Sequence, residues 1–406
     1  SIPITNTDIA IGGRGRYTNG DWFDGWIDEV LILNRTLSAD QIKALYDSKT
    51  DLISSDENFG GENWSACITP NDGTEDGDEV CSADLILNSL EVINVNVTSS
   101  SGTNYTTENL TANYTLQNGS TQGIIDWRLN DSSITVLNMP FEGVKDNIFN
   151  ASKDYSQSDN NGSEAGGIFW NSTGGYGNTG AYYFDGSNDK IAIPSSTSVN
   201  TFSQITLMAW VNPRDVASDE PVMMKEGAGG VQEYALSYNA NKFGCLLGDN
   251  WPLNSRDTGG DTDMVNNQWQ HIACTWNGSQ VVDYRNGLPV QTTAWAGTIP
   301  AGSSVLTIGS NSNAATTWLQ GEIDDVYIFN RSLTGEQVLN IFNNRTDLLD
   351  QNETSLNDNW SACVTPNDGT EDGNEVCSDN LAIVVNSAPN TASVVFNATS
   401  LNNYTI

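Results

Sequence analysis

Two stretches of this chain occur twice at the same displacement. Gly25-Trp-Ile-Asp-Glu-Val-Leu-Ile-Leu-Asn-Arg-Thr-Leu37 returns as Gly321-Glu-Ile-Asp-Asp-Val-Tyr-Ile-Phe-Asn-Arg-Ser-Leu333, which is 296 residues further on. Trp64-Ser-Ala-Cys-Ile-Thr-Pro-Asn-Asp-Gly-Thr-Glu-Asp-Gly77 returns as Trp360-Ser-Ala-Cys-Val-Thr-Pro-Asn-Asp-Gly-Thr-Glu-Asp-Gly373, displaced by the same 296. One displacement shared by two unlike motifs means one large repeated unit. The chain then opens inside one copy, runs through a whole one and starts a third, where Asn403-Tyr-Thr405 echoes Asn104-Tyr-Thr106. On this reading Ser1 is not a natural start, and the segment is a window on a longer tandem array.

Within the complete copy, Lys190–Ile193, Ile205–Val211, Tyr234–Tyr238, Gln270–Trp276, Val281–Tyr284 and Val305–Ile308 alternate apolar and polar residues between Gly, Asn and Asp punctuation. That period of two predicts an antiparallel β-sandwich. Each copy also predicts one helix, Ser38 to Lys49 and Thr334 to Asn344. Both begin with a capping-box pattern, Ser38 with Gln41 and Thr334 with Gln337, and continue as an apolar stripe of Ile42, Leu45 and Tyr46 or Val338, Ile341 and Phe342. The 51 acidic against 16 basic residues give a formal charge of −35, which repels nucleic acid. The 12 Trp, 13 Tyr and 11 Phe are too many for a disordered acidic chain. No apolar run reaches the roughly 18–20 residues of a membrane span.

The order and spacing of Phe184-Asp-Gly-Ser-Asn-Asp-Lys-Ile191, Met208-Ala-Trp-Val-Asn-Pro213, Trp269-Gln-His-Ile-Ala-Cys-Thr-Trp-Asn-Gly278, Tyr284-Arg-Asn-Gly287, Ile308-Gly309 and Gly321–Val326 resemble the laminin G-like members of the concanavalin A-like jelly rolls. The resemblance covers roughly half the chain and implies an all-β jelly-roll sandwich. Around it, Thr106–Thr115, Ile124–Asn130 with Trp127 and the Trp360–Gly369 segment look like strands of an immunoglobulin-like sandwich, similar to those on archaeal cell-surface proteins. The expected organisation is the end of a preceding jelly roll (1–49), closing immunoglobulin-like strands (50–87) and the first half of an immunoglobulin-like domain (88–140). A complete jelly roll (141–345), the closing strands (346–384) and the start of the next domain (385–406) follow. The jelly roll is either inserted in the smaller domain or placed between two incomplete ones. Insertion is preferred, because neither half has enough strands to bury a core.

Six cysteines group locally as Cys67 with Cys81, Cys245 with Cys274 and Cys363 with Cys377. Neither CxxC spacing nor a histidine cluster favours zinc, so disulfides are expected, the outer two stapling hairpins. Asn34, Asn63, Asn96, Asn104, Asn109, Asn113, Asn118, Asn130, Asn150, Asn161, Asn171, Asn277, Asn330, Asn344, Asn352, Asn359, Asn397 and Asn403 all stand in Asn-X-Ser/Thr. A chain this rich in Asn, Ser and Thr produces such triplets by composition, while disulfides and glycans together point outside the cell.

The jelly-roll resemblance raises the question of glycoside hydrolysis. A retaining enzyme of this fold places two carboxylates about 5 Å apart on one strand. Here Glu322-Ile-Asp-Asp-Val-Tyr327 supplies the first Glu and the Asp, while Val326 and Tyr327 occupy the acid/base positions, so no enzyme is expected. The single histidine, His271, lies in an alternating strand and is assigned to packing. The resemblance also implies a structural calcium ion, with Asp185, Asn188, Asp189, Asp324 and Asp325 as ligand candidates and Asp28 and Glu29 as their counterparts. The same carboxylates equally serve as turn formers and strand-end acceptors. The acidic run Asp368–Glu375 lacks EF-hand spacing and reads as a solvated hairpin tip. Trp251, Trp295 and Trp318 lie in polar loops, where each either stacks on a sugar or packs on the rim; Trp318 is the candidate ligand contact. The expected function is a non-enzymatic extracellular stalk, adhesin or filament whose partners are further copies of itself and glycans. A multivalent lectin is the alternative and a glycosidase the third reading.

Overall fold

The computed structural model describes residues 9–13, 22–54, 57–58, 60–143, 152–227, 232–248, 264–311 and 317–385. The chain divides into two compact units, Ser1–Phe59 and Gly60–Ile406.

In the first unit, α1 (Ala39–Tyr46) starts where the capping pattern places it, and Ser38 Oγ accepts from the Gln41 amide at 3.1 Å. The reciprocal half of the box differs from the expectation. Gln41 turns to the next loop, donating to Leu52 O at 3.1 Å and accepting from Ser54 N at 2.7 Å. The Ser38 amide donates instead to Glu57, which also pairs with Arg35 at 2.8 Å. The arrangement recurs 296 residues on. Thr334 caps α2 (Gly335–Phe342), Gln337 grips Leu348 O and the Asp350 amide, and Glu353 accepts from the Thr334 amide at 2.7 Å and pairs with Arg331. A carboxylate brought back from 19 residues downstream satisfies a free N–H and faces the positive end of the helix.

In the second unit, after four two-residue strands between Asn63 and Ile86, come β1 (Glu91–Ser99), β2 (Leu110–Gln117) and β3 (Gln122–Leu129). A larger body follows, made of β4 (Thr135–Met139), β5 (Ser163–Ala165), β6 (Phe169–Asn171), β7 (Ala181–Asp185), β8 (Lys190–Ile193), β9 (Ile205–Pro213) and β10 (Glu220–Glu226). It continues through β11 (Gln232–Asn239), β12 (Lys242–Leu247), β13 (Gln270–Trp276), β14 (Gln280–Arg285), β15 (Leu288–Ala294), β16 (Leu306–Ile308) and β17 (Gln320–Phe329). After α2 come β18 (Leu348–Leu349), β19 (Asn359–Asn367) and β20 (Val376–Cys377).

The larger body is a sandwich of an eight-stranded sheet, β6-β7-β17-β9-β13-β14-β15 with β4 also on β17, and a six-stranded sheet, β5-β8-β16-β10-β11-β12. Leu207, Val211, Ile323 and Ile328 of one sheet meet Met223, Leu236, Cys245 and Ile308 of the other in a continuous core. The Cys245–Cys274 disulfide joins β12 to β13 and so ties the two sheets. β4 begins at Thr135, earlier than the boundary at 141 expected from sequence, because it pairs along β17 from Met139 opposite Val326 to Thr135 opposite Phe329. Between β14 and β15 the chain turns at Asn286 and Gly287, both at positive φ as a tight hairpin requires. A Cβ on Gly287 would lie 2.7 Å from Leu339 of α2, so glycine also lets the helix approach.

A smaller pair of sheets, β18-β2-β1 and β20-β19-β3, packs on this sandwich. β19 pairs with β3 from Trp360 opposite Leu129 to Asn367 opposite Gln122. The smaller body is thus closed by strands from either side of the larger one in sequence. Trp127 meets Trp360 edge-on at 6.3 Å and donates through Nε1 to Thr346 O at 2.9 Å. On the eight-stranded sheet, Met208, Ala273, Tyr327 and Phe329 share a second core with Trp127, Val338, Ile341 and Trp360. Each large apolar side chain so buried contributes roughly 1.5–3 kcal/mol.

Candidate functional site

At the end of the sandwich where β7 meets β17, an open cleft of about 420 Å³ is lined by Asp185, Asp215, Asp219, Glu220, Trp318 and Gln320, with Gly186, Ser218 and Thr317. Strand register builds it: Asp185, the last residue of β7, lies opposite Gln320, the first of β17. Glu220 opens β10 and is buried, its Oε2 accepting from Tyr238 Oη and the Gln320 amide, the latter at 2.9 Å. Burial pushes its carboxyl up to about 7. Asp215 is held below the ordinary carboxylate range by donation from the Ser218 hydroxyl at 2.6 Å and from nearby amides. Trp318 is half-buried at the rim, in a bridge with Ser310. The cleft therefore offers carboxylate acceptors beside one indole ring, a chemistry suited to a ligand with many hydroxyl donors and one apolar face.

Residues 185–339 match the model of the concanavalin A-like lectin/glucanase superfamily. The larger body is a concanavalin A-like jelly roll in an otherwise almost entirely β chain. Among solved structures, the binding domain of botulinum neurotoxin serotype G aligns at 15% identity and TM-score 0.36, over 51% of this chain and 50% of that one. Domain 4 of AbnA, a GH43 extracellular arabinanase from Geobacillus stearothermophilus, in complex with arabinotriose, aligns at 15% identity and TM-score 0.38, over 53% of this chain and 98% of that one. Trypanosoma rangeli sialidase aligns at 21% identity and TM-score 0.33, over 40% and 27%. This chain thus spans about half the length of the toxin domain. No curated protein matches the chain.

The jelly roll separates the five residues taken as calcium ligands into two places. Asp185 lies opposite Gln320, whereas Asp324 lies four residues further along β17, roughly 13 Å at strand spacing. At the first place Asp189 accepts from the Asp185 amide at 2.9 Å, as a turn-forming side chain does, and Asn188 reaches across to donate to Gly166 O at 2.9 Å. At the second, Asp324 is fully buried and both its oxygens are engaged: Oδ2 by the Tyr176 amide and Thr179 hydroxyl, Oδ1 by the Asp325 amide. Asp325 sits at φ 51° where the ladder between β9 and β17 shifts register. Burial and the neighbouring Glu142 push both aspartates upward. The sequence reading missed Glu142, which is buried and raised by burial, because its approach to β17 is a tertiary fact. It likewise missed Glu220.

The acidic hairpin is solvated only in part, with Thr370 and Glu375 exposed. Asp372 is not solvated: it pairs with Lys153 at 2.6 Å, accepts from Tyr155 Oη at 2.9 Å and receives Asn367 Nδ2 at 2.9 Å, while Glu375 takes both oxygens to Arg128. The run reads as a tip because its partners lie more than 200 residues away. Trp295 packs on Trp276 at 5.0 Å, as rim packing requires, and Trp251 lies outside the described residues. His271 is buried between Trp210 and Phe342, and burial pushes it down to about 3, so it is a neutral packing residue. On the candidate hydrolase strand Glu322 is held by Arg214 at 2.7 Å, and Val326 and Tyr327 are buried. All three cysteine pairs are bonded. Asn150, Asn397 and Asn403 lie outside the described residues, and the other sequon asparagines are exposed or half-exposed.

Proposed function

We propose that this chain is a saccharide-binding, non-hydrolytic segment of an extracellular repeat protein, with the ligand held in the Trp318 cleft. The single observation that carries this reading is the cleft itself, where an indole ring and four carboxylates line one open space of about 420 Å³. Sugar hydroxyls donate to Asp185, Asp215 and Asp219, and the pyranose face lies on Trp318. Glu220 supports the site from below. The disulfides are consistent with an oxidising compartment. The test is retention on a glycan array: Trp318→Ala abolishes it, and an unchanged profile overturns the reading. Reducing-sugar release from a bound glycan, lost on Glu220→Gln, would replace binding by hydrolysis.

A second reading, an array that builds a stalk or filament, is favoured by the 296-residue repeat. Successive copies would multiply weak saccharide contacts through avidity. Negative-stain images of the native assembly showing only isolated particles would remove it.

A further inference from the structure

We propose that the cavity between the jelly roll and the smaller sandwich binds a small protonated amine. It encloses about 170 Å³, and a cavity of roughly 150 Å³ is enough to hold a benzene-sized ring. Its walls are Glu142, Asn138 and Asp325 on one side and Tyr176, Trp210 and Phe342 on the other.

Among the described lining residues, the one buried polar atom left unsatisfied is an acceptor, Asn138 Oδ1. Asn138 is buried with 1% of its surface exposed; its Nδ2 donates to Ile125 O at 3.2 Å, and its Oδ1 receives no donor. An unmet acceptor at that depth costs of the order of 1–3 kcal/mol unless something fills it. Asp325 receives one long contact, from Tyr327 Oη at 3.4 Å, and Glu142 is met by the Gly180 amide at 3.3 Å and by the Gln122 side chain. The C-terminal end of α2 reaches the same space through Ile341, Phe342 and Asn344. These features call for a ligand that only donates and carries positive charge.

The aromatic wall decides between a metal ion and an organic cation. Tyr176 stacks on Trp210 at 3.4 Å between ring centres, and Trp210 stacks on Phe342 at 5.4 Å, giving a column of apolar ring surface that lines the same cavity as the carboxylates. A calcium ion needs six to eight oxygens at about 2.3–2.6 Å. Glu142, Asp324 and Asp325 do not all bring their oxygens within 4.8 Å of one another, whereas an ammonium group on a compact carbon body spans the spread and rests its carbon body against the rings. This site is separate from the saccharide cleft and does not depend on it.

Calorimetric titration of the full chain tests the proposal, with cyclohexylamine and putrescine as probes, cyclohexanol as the uncharged analogue and calcium chloride as the metal. Binding of an amine but not cyclohexanol is expected, weakened by about tenfold or more in Glu142→Gln and in Asn138→Ala. Far-UV circular dichroism and the unfolding midpoint confirm that each variant is folded, and Glu142→Gln preserves shape. Equal binding of cyclohexanol, amine binding indifferent to both substitutions, or calcium binding without amine binding would each overturn it.

Discussion

Residues 25–33 and 321–329 are near copies with different fates. In the second unit the segment lies within β17, flanked by β7, β9 and β4, with Ile323, Val326 and Ile328 wholly buried. In the first unit the counterparts Ile27, Val30 and Ile32 are 47%, 50% and 72% exposed, and no strand forms over residues 25–33. Flanking strands have no equivalents among the described residues of that unit. Strand structure is thus conferred by neighbours, as the context dependence of β-propensity requires. Two features survive the loss of neighbours. Glu29 and Asp325 both sit at φ 51°, and both helices form with the same caps and the same distant glutamate. Those are settled within some 20 residues of chain, whereas the sheet needs partners more than 100 residues apart.

The widest gap should appear in amide exchange: Ile323–Phe329 should exchange slower than Ile27–Leu33 by roughly a thousandfold or more, and similar rates would erase the contrast. Trp360→Ala empties a fully buried site against Trp127 and should cost about 3–5 kcal/mol in urea unfolding, while Trp64→Ala at the half-buried counterpart should cost under about 1 kcal/mol. Glu353→Gln should cost about 2 kcal/mol by stripping the buried partner of Arg331 and the Thr334 amide, with less lost in Glu57→Gln, where Arg35 is more exposed. Lys153→Ala should cost about 1 kcal/mol and loosen the Asp372 hairpin.

A further effect is on pH. Glu220 holds its proton in the folded state up to about 7 but releases it near 4.5 when unfolded. Its contribution to stability is therefore greatest below about pH 4.5, falls as pH rises to about 7 and is flat above that. Glu220→Gln should flatten the unfolding midpoint across that window.

Local chemistry was legible in the sequence. The caps at Ser38 and Thr334, the alternating strands and the disulfide pairs are all set by spacings of a few to about 30 residues. What was illegible needs a third dimension. Alternation reports one buried face and is silent on whether a second body covers the other, as it does over Met208 and Tyr327. Glu142 and Glu220 belong to no motif, and each becomes notable only when the fold brings it to a cavity or cleft. Asp372 read as a solvated tip because neither Lys153 nor Tyr155 is near it in sequence.

The pairing of β3 with β19 has a consequence for synthesis. Leu129 leaves the ribosome some 230 residues before Asn359, a delay of the order of 10–50 s at typical elongation rates. During that interval β1, β2 and β3 have no β19 to close them, and Trp127 waits without Trp360. A jelly roll that folds first brings Thr135 and Phe329 side by side, and the long gap becomes a short one. Maturation of this chain is then sequential, the larger body acting as the clasp that lets the smaller one finish.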